Sequence, residues 1–100
     1  MDVIDPSLYL VAVIRPRLDR ADEAERELRT LMAGTRDEPG CVYMELVVED
    51  GDDATWYMFE KFHSRPDWEA HMLTDHVTHG NLQLADLLRE PTELRFYTGK

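Results

Sequence analysis

The sequence predicts an α+β domain: a four-stranded antiparallel sheet in split βαβ order, with its helices on one face. Three observations lead there. Leu8–Arg15 (LYLVAVIR) is almost continuously apolar and rich in β-branched residues, as in a central strand covered on both faces. Two further apolar runs, Cys41–Glu49 and Thr55–His63, flank Asp50-Gly51-Asp52-Asp53, a turn signal that folds them into an antiparallel hairpin. Stretches of helical period separate the first strand from the hairpin, and the hairpin from a last apolar run.

In order along the chain, Pro16 cannot donate to a ladder and ends the first strand. Asp19 or Asp22 can cap the next helix, with Asp22 or Glu25 completing the capping pattern. Ala21, Ala24, Leu28, Leu31, Met32 and Thr35 then recur at helical spacing, predicting an amphipathic helix over about 20–36 that Glu38-Pro39-Gly40 breaks. After the hairpin, Ser64 is the expected cap of a helix from Pro66 to about Leu73 that presents Trp68, His71 and Met72 on one side. Thr74 caps a further helix whose apolar face is Val77, Gly80, Leu84, Leu87 and Leu88; Pro91 stops it, and Thr92–Thr98 is the last strand. The order β-α-β-β-α-α-β is the ferredoxin-like pattern. Right-handed crossovers put strands one and three in the middle of the sheet.

One hundred residues make one domain, 1–100, with its core over about 8–98. Residues of both parities on the first strand are apolar, so the sheet face away from the helices also needs cover. No second helical layer is available in a chain this short, and a second copy is the economical solution. A homodimer with sheets packed face to face is therefore expected. Twenty-one acids against eleven Lys and Arg give a formal charge of −10, which disfavours nucleic acid and anionic membrane surfaces as partners. No apolar run reaches the ~18 residues of a membrane span, and MDVIDPSLY has no signal-peptide pattern, so a soluble cytoplasmic protein is expected. The lone Cys41 excludes an internal disulfide and a multi-cysteine zinc site. There is no Gly-rich phosphate loop and no Ser or Cys nucleophile motif. His76 and His79 stand at i, i+3, but no third ligand has matching spacing, so no metal is expected.

Three motifs carry a family resemblance: Pro39-Gly40-Cys41 before the second strand, Glu60-Lys61-Phe62-His63-Ser64 ending the third, and Ala70-His71-Met72-Leu73-Thr74-Asp75-His76 after it. With them the chain resembles, over roughly residues 8–97, the antibiotic biosynthesis monooxygenase family of dimeric α+β barrels, which includes quinol monooxygenase-like proteins. The resemblance implies oxidation of an aromatic quinol by dioxygen without metal, flavin or haem, so no cofactor is expected; other members are isomerases or have no assigned activity. The chain departs from the family in having Met44 where a Tyr is frequent, with Tyr43 facing the other way, and Phe62 where Trp is usual. The positions that in the haem-degrading branch hold Asn, Trp and the axial His align with Ile14, His71 and Asn81, which argues against haem chemistry.

Strand alternation sets Trp56, Met58, Glu60 and Phe62 on the helix-covered face. A carboxylate there must find a donor or stay protonated, and His71 and His76 are the expected partners. Two readings follow. Glu60 orients a histidine that acts as base toward a phenol or an enolisable carbonyl, or the groups merely tie helix to sheet. His76 has a further alternative as a cap or surface residue; His79 is expected to face solvent, and Cys41 to be a small buried group. The predicted catalytic set is His71, Glu60 and His76; Met58, Phe62, Trp68, Met72 and Ile14 are the expected substrate-binding residues. The function expected is a cofactor-independent monooxygenase acting on a small aromatic quinol or polyketide-like substrate. The alternatives are an isomerase or tautomerase on an enolisable carbonyl, and a non-enzymatic dimeric binding module.

Overall fold

The computed structural model describes residues 5–100, so the first four residues of the polar lead lie outside the described region. The elements are β1 (Leu8–Ile14), a 3-10 turn (Leu18–Arg20), α1 (Ala21–Arg36), β2 (Cys41–Glu49), β3 (Asp52–Phe62), α2 (Arg65–Met72), α3 (Asp75–Leu84) and β4 (Glu93–Thr98). The sheet runs β2-β3-β1-β4 with every neighbouring pair antiparallel, so β1 and β3 are central as the split pattern requires. No helix is long and apolar enough to cross a membrane.

Leu8, Leu10, Ala12 and Ile14 of β1 and Trp56, Met58, Glu60 and Phe62 of β3 are buried on the helix side, as alternation predicts. Ala24, Leu28, Leu31 and Met32 close the layer from α1. Helices α1 and α3 meet where Gly80 faces Leu31: a Cβ at Gly80 would come within 2.8 Å of Leu31 Cδ1, so the missing side chain sets the approach. Gly51 has φ +84°, the left-handed conformation that the β2–β3 turn needs and that glycine adopts without strain.

Three local expectations are corrected, two of them at the ends of α1 and α3. Neither Asp19 nor Asp22 caps α1: the 3-10 turn Leu18–Arg20 leads into it, Arg20 is the N-cap residue with its side chain paired to Glu23 rather than capping the backbone, and Asp22 lies in the first turn. Helix α3 ends at Leu84 rather than running to Leu88. Beyond it Leu88 forms a bridge with Pro16, Arg17 N donates to Leu87 O at 2.8 Å, and Arg89 N donates to Arg15 O at 2.8 Å. Pairing with the chain beyond β1 replaces the last helical turn, although Leu84, Leu87 and Leu88 keep a helical period.

Ser64 caps α2 as expected. Its Oγ accepts from Asp67 N at 3.3 Å and donates to Asp67 Oδ2 at 2.9 Å, and Pro66 stands in the first turn. Thr74 precedes α3 without capping it; its hydroxyl donates instead to His71 O at 2.7 Å. Ser64→Ala should therefore lower stability by about 1 kcal/mol, read from the urea midpoint, with the far-ultraviolet circular dichroism unchanged. A midpoint equal to wild type would mean that the cap contributes nothing to α2.

Candidate functional site

Between the inner face of the sheet and the helices lies a cavity of about 550 Å³. Leu10, Ala12 and Ile14 of β1 and Met58 of β3 form its floor, with Met44 of β2 beside them. Leu28 and Leu31 of α1, Trp68, His71 and Met72 of α2, and Val77 and Leu84 of α3 form the opposite wall. Arg89, Glu90, Pro91, Thr92 and Leu94 lie along the side nearest β4. Of the polar residues on its lining, Glu60 and His71 are buried, whereas Asn81, Arg89, Glu90 and Thr92 are exposed.

Glu60 sits mid-strand between Leu10 of β1 and Met44 of β2, with 7% of its surface exposed. Among the described residues its carboxyl makes no side-chain hydrogen bond, and burial pushes its pKa up from 4.5 to about 7. The expected pairing of Glu60 with the histidines is thus not what the structure contains. Both rings turn to Glu38: His71 Nδ1 lies 2.9 Å and His76 Nε2 2.6 Å from the same oxygen, Glu38 Oε2. An ionised carboxylate only accepts, so both nitrogens then carry the proton. For neutral His71 this leaves the Nε2 lone pair free on a ring that borders the cavity.

Local structure fixes this arrangement. Glu38 stands in the α1–β2 connection, where its N–H donates to Thr35 O at 3.0 Å and its carbonyl accepts from Cys41 N at 3.1 Å. His71 closes α2, 3% exposed, and stacks at a tilt on Phe62 with ring centroids 4.9 Å apart. His76 opens α3 and lies on α1 at Gly34, where a Cβ would meet the imidazole carbon Cγ at 2.7 Å.

Of the expected substrate-binding residues, Ile14, Met58, Trp68 and Met72 line the cavity. Phe62 does not: it is fully buried behind His71, packed with Leu8 and Leu10, and acts as the ring's backing. Nor does His76 line it; that ring sits on the far side of Glu38. Trp68 is half-buried and meets Phe96 of β4 edge-on at 5.0 Å. His79 is exposed as expected, and Cys41 is half-buried with burial raising its thiol pKa. Asn81 also borders the cavity. The residue that sequence reasoning missed is Glu38, which served there only as part of a helix-breaking triplet. Its signal was an acid fixed against Pro39-Gly40, but the partners lie 33 and 38 positions away and no local period links them.

The sheet order, the one-sided helices and a pocket carrying one buried acid and one buried imidazole define a ferredoxin-like α+β domain with an internal site. The chain belongs to the antibiotic biosynthesis monooxygenase family, whose profile matches residues 7–81. A solved protein from Pseudomonas aeruginosa superposes with a TM-score of 0.87 at 27% identity, covering 99% of both chains. One from Mycobacterium tuberculosis gives 0.89 at 23% identity, covering 94% of this chain and 95% of its own. A candidate antibiotic biosynthesis monooxygenase of Nitrosomonas europaea gives 0.90 at 19% identity, covering 99% and 95% respectively. An uncharacterized protein of Synechocystis is 24% identical over 93 residues; the match covers 93% of this chain and 63% of that protein.

The Glu60 environment has a stability consequence with a definite sign. Because the folded pKa is raised, the unfolded chain releases this proton first, between about pH 4.5 and 7, and stability falls as pH rises through that window. The loss is complete above it and amounts to roughly 3 kcal/mol. Glu60→Gln should therefore stabilise the fold at pH 8 and change it little at pH 4.5, measured by urea denaturation at both values. An equal effect at the two pH values would show that the carboxyl is not held protonated by burial.

Proposed function

We propose that the chain is a monooxygenase oxidising a small aromatic quinol or polyketide-like phenol with dioxygen, with His71 and Glu60 as its proton carriers. The observation that carries this reading is one buried imidazole and one buried carboxyl on a largely apolar cavity of about 550 Å³, whose other polar residues, Asn81, Arg89, Glu90 and Thr92, are exposed. A flat ring fits between Met58 and Ile14 on the sheet and Trp68 and Met72 on α2. The unprotonated Nε2 of His71, with Nδ1–H fixed on Glu38, accepts a phenolic proton. The resulting phenolate is the electron donor: one electron passes to dioxygen, and recombination forms a carbon–oxygen bond. The imidazolium returns its proton to the peroxide anion, and loss of hydroxide and of the ring C–H proton, which passes to Glu60, leaves a carbonyl, so substrate plus O₂ gives oxidised product plus H₂O. Glu60, poised near pH 7, supplies a proton to the departing hydroxide. The protein contributes positioning, proton transfer and exclusion of water; the electrons come from the substrate.

The same acid and base also suit a second reaction, tautomerisation of an enolisable carbonyl, which the near-neutral pKa of Glu60 favours. Oxygen uptake across a panel of quinols separates the two. In the monooxygenase reading His71→Asn and Glu60→Gln each lower kcat/KM by about 10²-fold or more. Turnover that persists without oxygen supports tautomerisation, and variant rates equal to wild type remove both residues from the mechanism.

A homodimer belongs to this proposal. The sheet face opposite the helices leaves Phe59 44%, Tyr43 38% and Tyr97 49% exposed, with Val11 and Tyr57 half-buried between them. A second copy packed sheet to sheet covers this apolar face. Light scattering after gel filtration should give twice the chain mass, and Phe59→Asp should shift it to monomer. A monomeric wild type at micromolar concentration would exclude this assembly.

A further inference from the structure

The Glu38 carboxylate, His71 Nδ1 and His76 Nε2 converge from the α1–β2 connection, the end of α2 and the start of α3. Their three donor atoms lie within 4.8 Å of one another. We propose that these residues form a binding site for a borderline divalent cation of the zinc type, with an open fourth position for water. An ion on Nδ1 would put the proton of neutral His71 on Nε2, so this site and the base role proposed for Nε2 are alternative states of one ring.

The donor set is suited to such an ion: two neutral imidazoles and one carboxylate leave a tetrahedral ion one vacant position. Bonds of about 2.0–2.1 Å place tetrahedral donors about 3.3 Å apart. The Glu38 oxygen already lies 2.9 and 2.6 Å from the two nitrogens, so small side-chain rotations open the space for an ion. Arg36, two residues before Glu38, does not compete for the carboxylate, because its guanidinium donates twice to Met44 O at 3.1 and 2.6 Å. Among the described residues the ion-pair partners of Glu38 are these two rings.

The site is also preorganised and reachable. His71 O accepts from both Thr74 N and Thr74 Oγ1, at 3.1 and 2.7 Å, pinning the backbone between the two histidines. The Gly34 gap seats the His76 ring. The His71 side chain is 4% exposed, Glu38 15% and His76 26%, so one edge of the cluster meets solvent while its base is closed. A net charge of −10 raises the local concentration of divalent cations.

Titration of tag-free, chelator-treated protein with Zn²⁺ in competition with a chromophoric chelator tests this, alongside the visible spectrum of the Co²⁺ complex. One equivalent per chain is expected, with the intense absorption of four-coordinate Co²⁺ and a rise in the thermal midpoint. Glu38→Gln and His76→Asn should each weaken binding by more than about tenfold, the scale set by losing even an outer-sphere partner. Gly34→Ala keeps all three ligands but displaces the His76 ring, and should also weaken it; circular dichroism confirms that each variant is folded. His79→Asn, on the exposed face of α3, should bind as wild type does. Absence of stoichiometric binding, or binding lost in His79→Asn and kept in His76→Asn, overturns the assignment. So does six-coordinate Co²⁺ that is unaffected by Glu38→Gln.

Discussion

A single carboxylate oxygen, Oε2 of Glu38, holds two imidazoles from two different helices, and much of the site depends on that contact. It ties the α1–β2 connection to the corner between α2 and α3, three segments with no shared strand pairing. An ionised Glu38 would also set the proton of neutral His71 on Nδ1, and so the chemistry the ring presents on the cavity side. Both hydrogen bonds are short and partly shielded from water, a setting that strengthens them. Removing the acid would leave two ring N–H groups without an acceptor in a largely buried place, costing more than the net contribution of either bond.

Glu60 shows the opposite balance. It lies only two positions along β3 from Phe62, the ring that backs His71, yet among the described residues it has no cation and no side-chain donor. A structural carboxylate would be expected to have a partner, because leaving an ionised acid unpaired among apolar groups is expensive. The fold instead keeps this carboxyl facing the cavity and accepts a pKa near neutrality. That is a cost to stability at high pH and an advantage to a group that must give and take a proton. The two acids of the site thus have different tasks: Glu38 orients the two rings, and Glu60 remains close to its titration point.

The sheet was legible because each strand's pattern agrees with its final environment. LYLVAVI is buried at alternate positions and partly covered on the other face, as expected for a strand flanked on both sides. Ser64 announced α2 by local chemistry alone. Reading failed where a long-range contact outranked a local preference. The periodic Leu84, Leu87 and Leu88 pointed to a longer α3, but pairing of Leu88 with Pro16 gave the backbone another partner. The candidate site was half legible for the same reason. Face alternation placed Glu60, and the helical grouping of Trp68, His71 and Met72 placed the wall. The acid nearest in apparent role was assigned to the histidines, while the true partner stood in a turn with no periodicity to mark it. Phe62 was on the correct face, but the one-dimensional pattern cannot distinguish a residue that lines a cavity from one that supports the residue lining it.

Strand β4 connects the cavity to the open sheet face. Its six residues are exposed on both sides, including Leu94 and Phe96, which pair with Ala12 and Leu10 and so share the inner face of the sheet. Among the described residues α2 reaches this edge through Trp68 and Arg65, both against Phe96, and Leu94 with Thr92 and Pro91 borders the cavity. A partner stacked on Phe59 and Tyr97 would bury the outer face of β4 and leave this inner side free. Assembly would then stiffen the strand beside the pocket without blocking it, and a planar substrate could enter along Leu94. The edge-on contact of Trp68 with Phe96 ties α2 to the same strand. Motion of β4 would therefore be felt one turn along α2 at His71, so the exposed edge that looks incomplete in one chain is also the part best placed to couple pairing to the pocket.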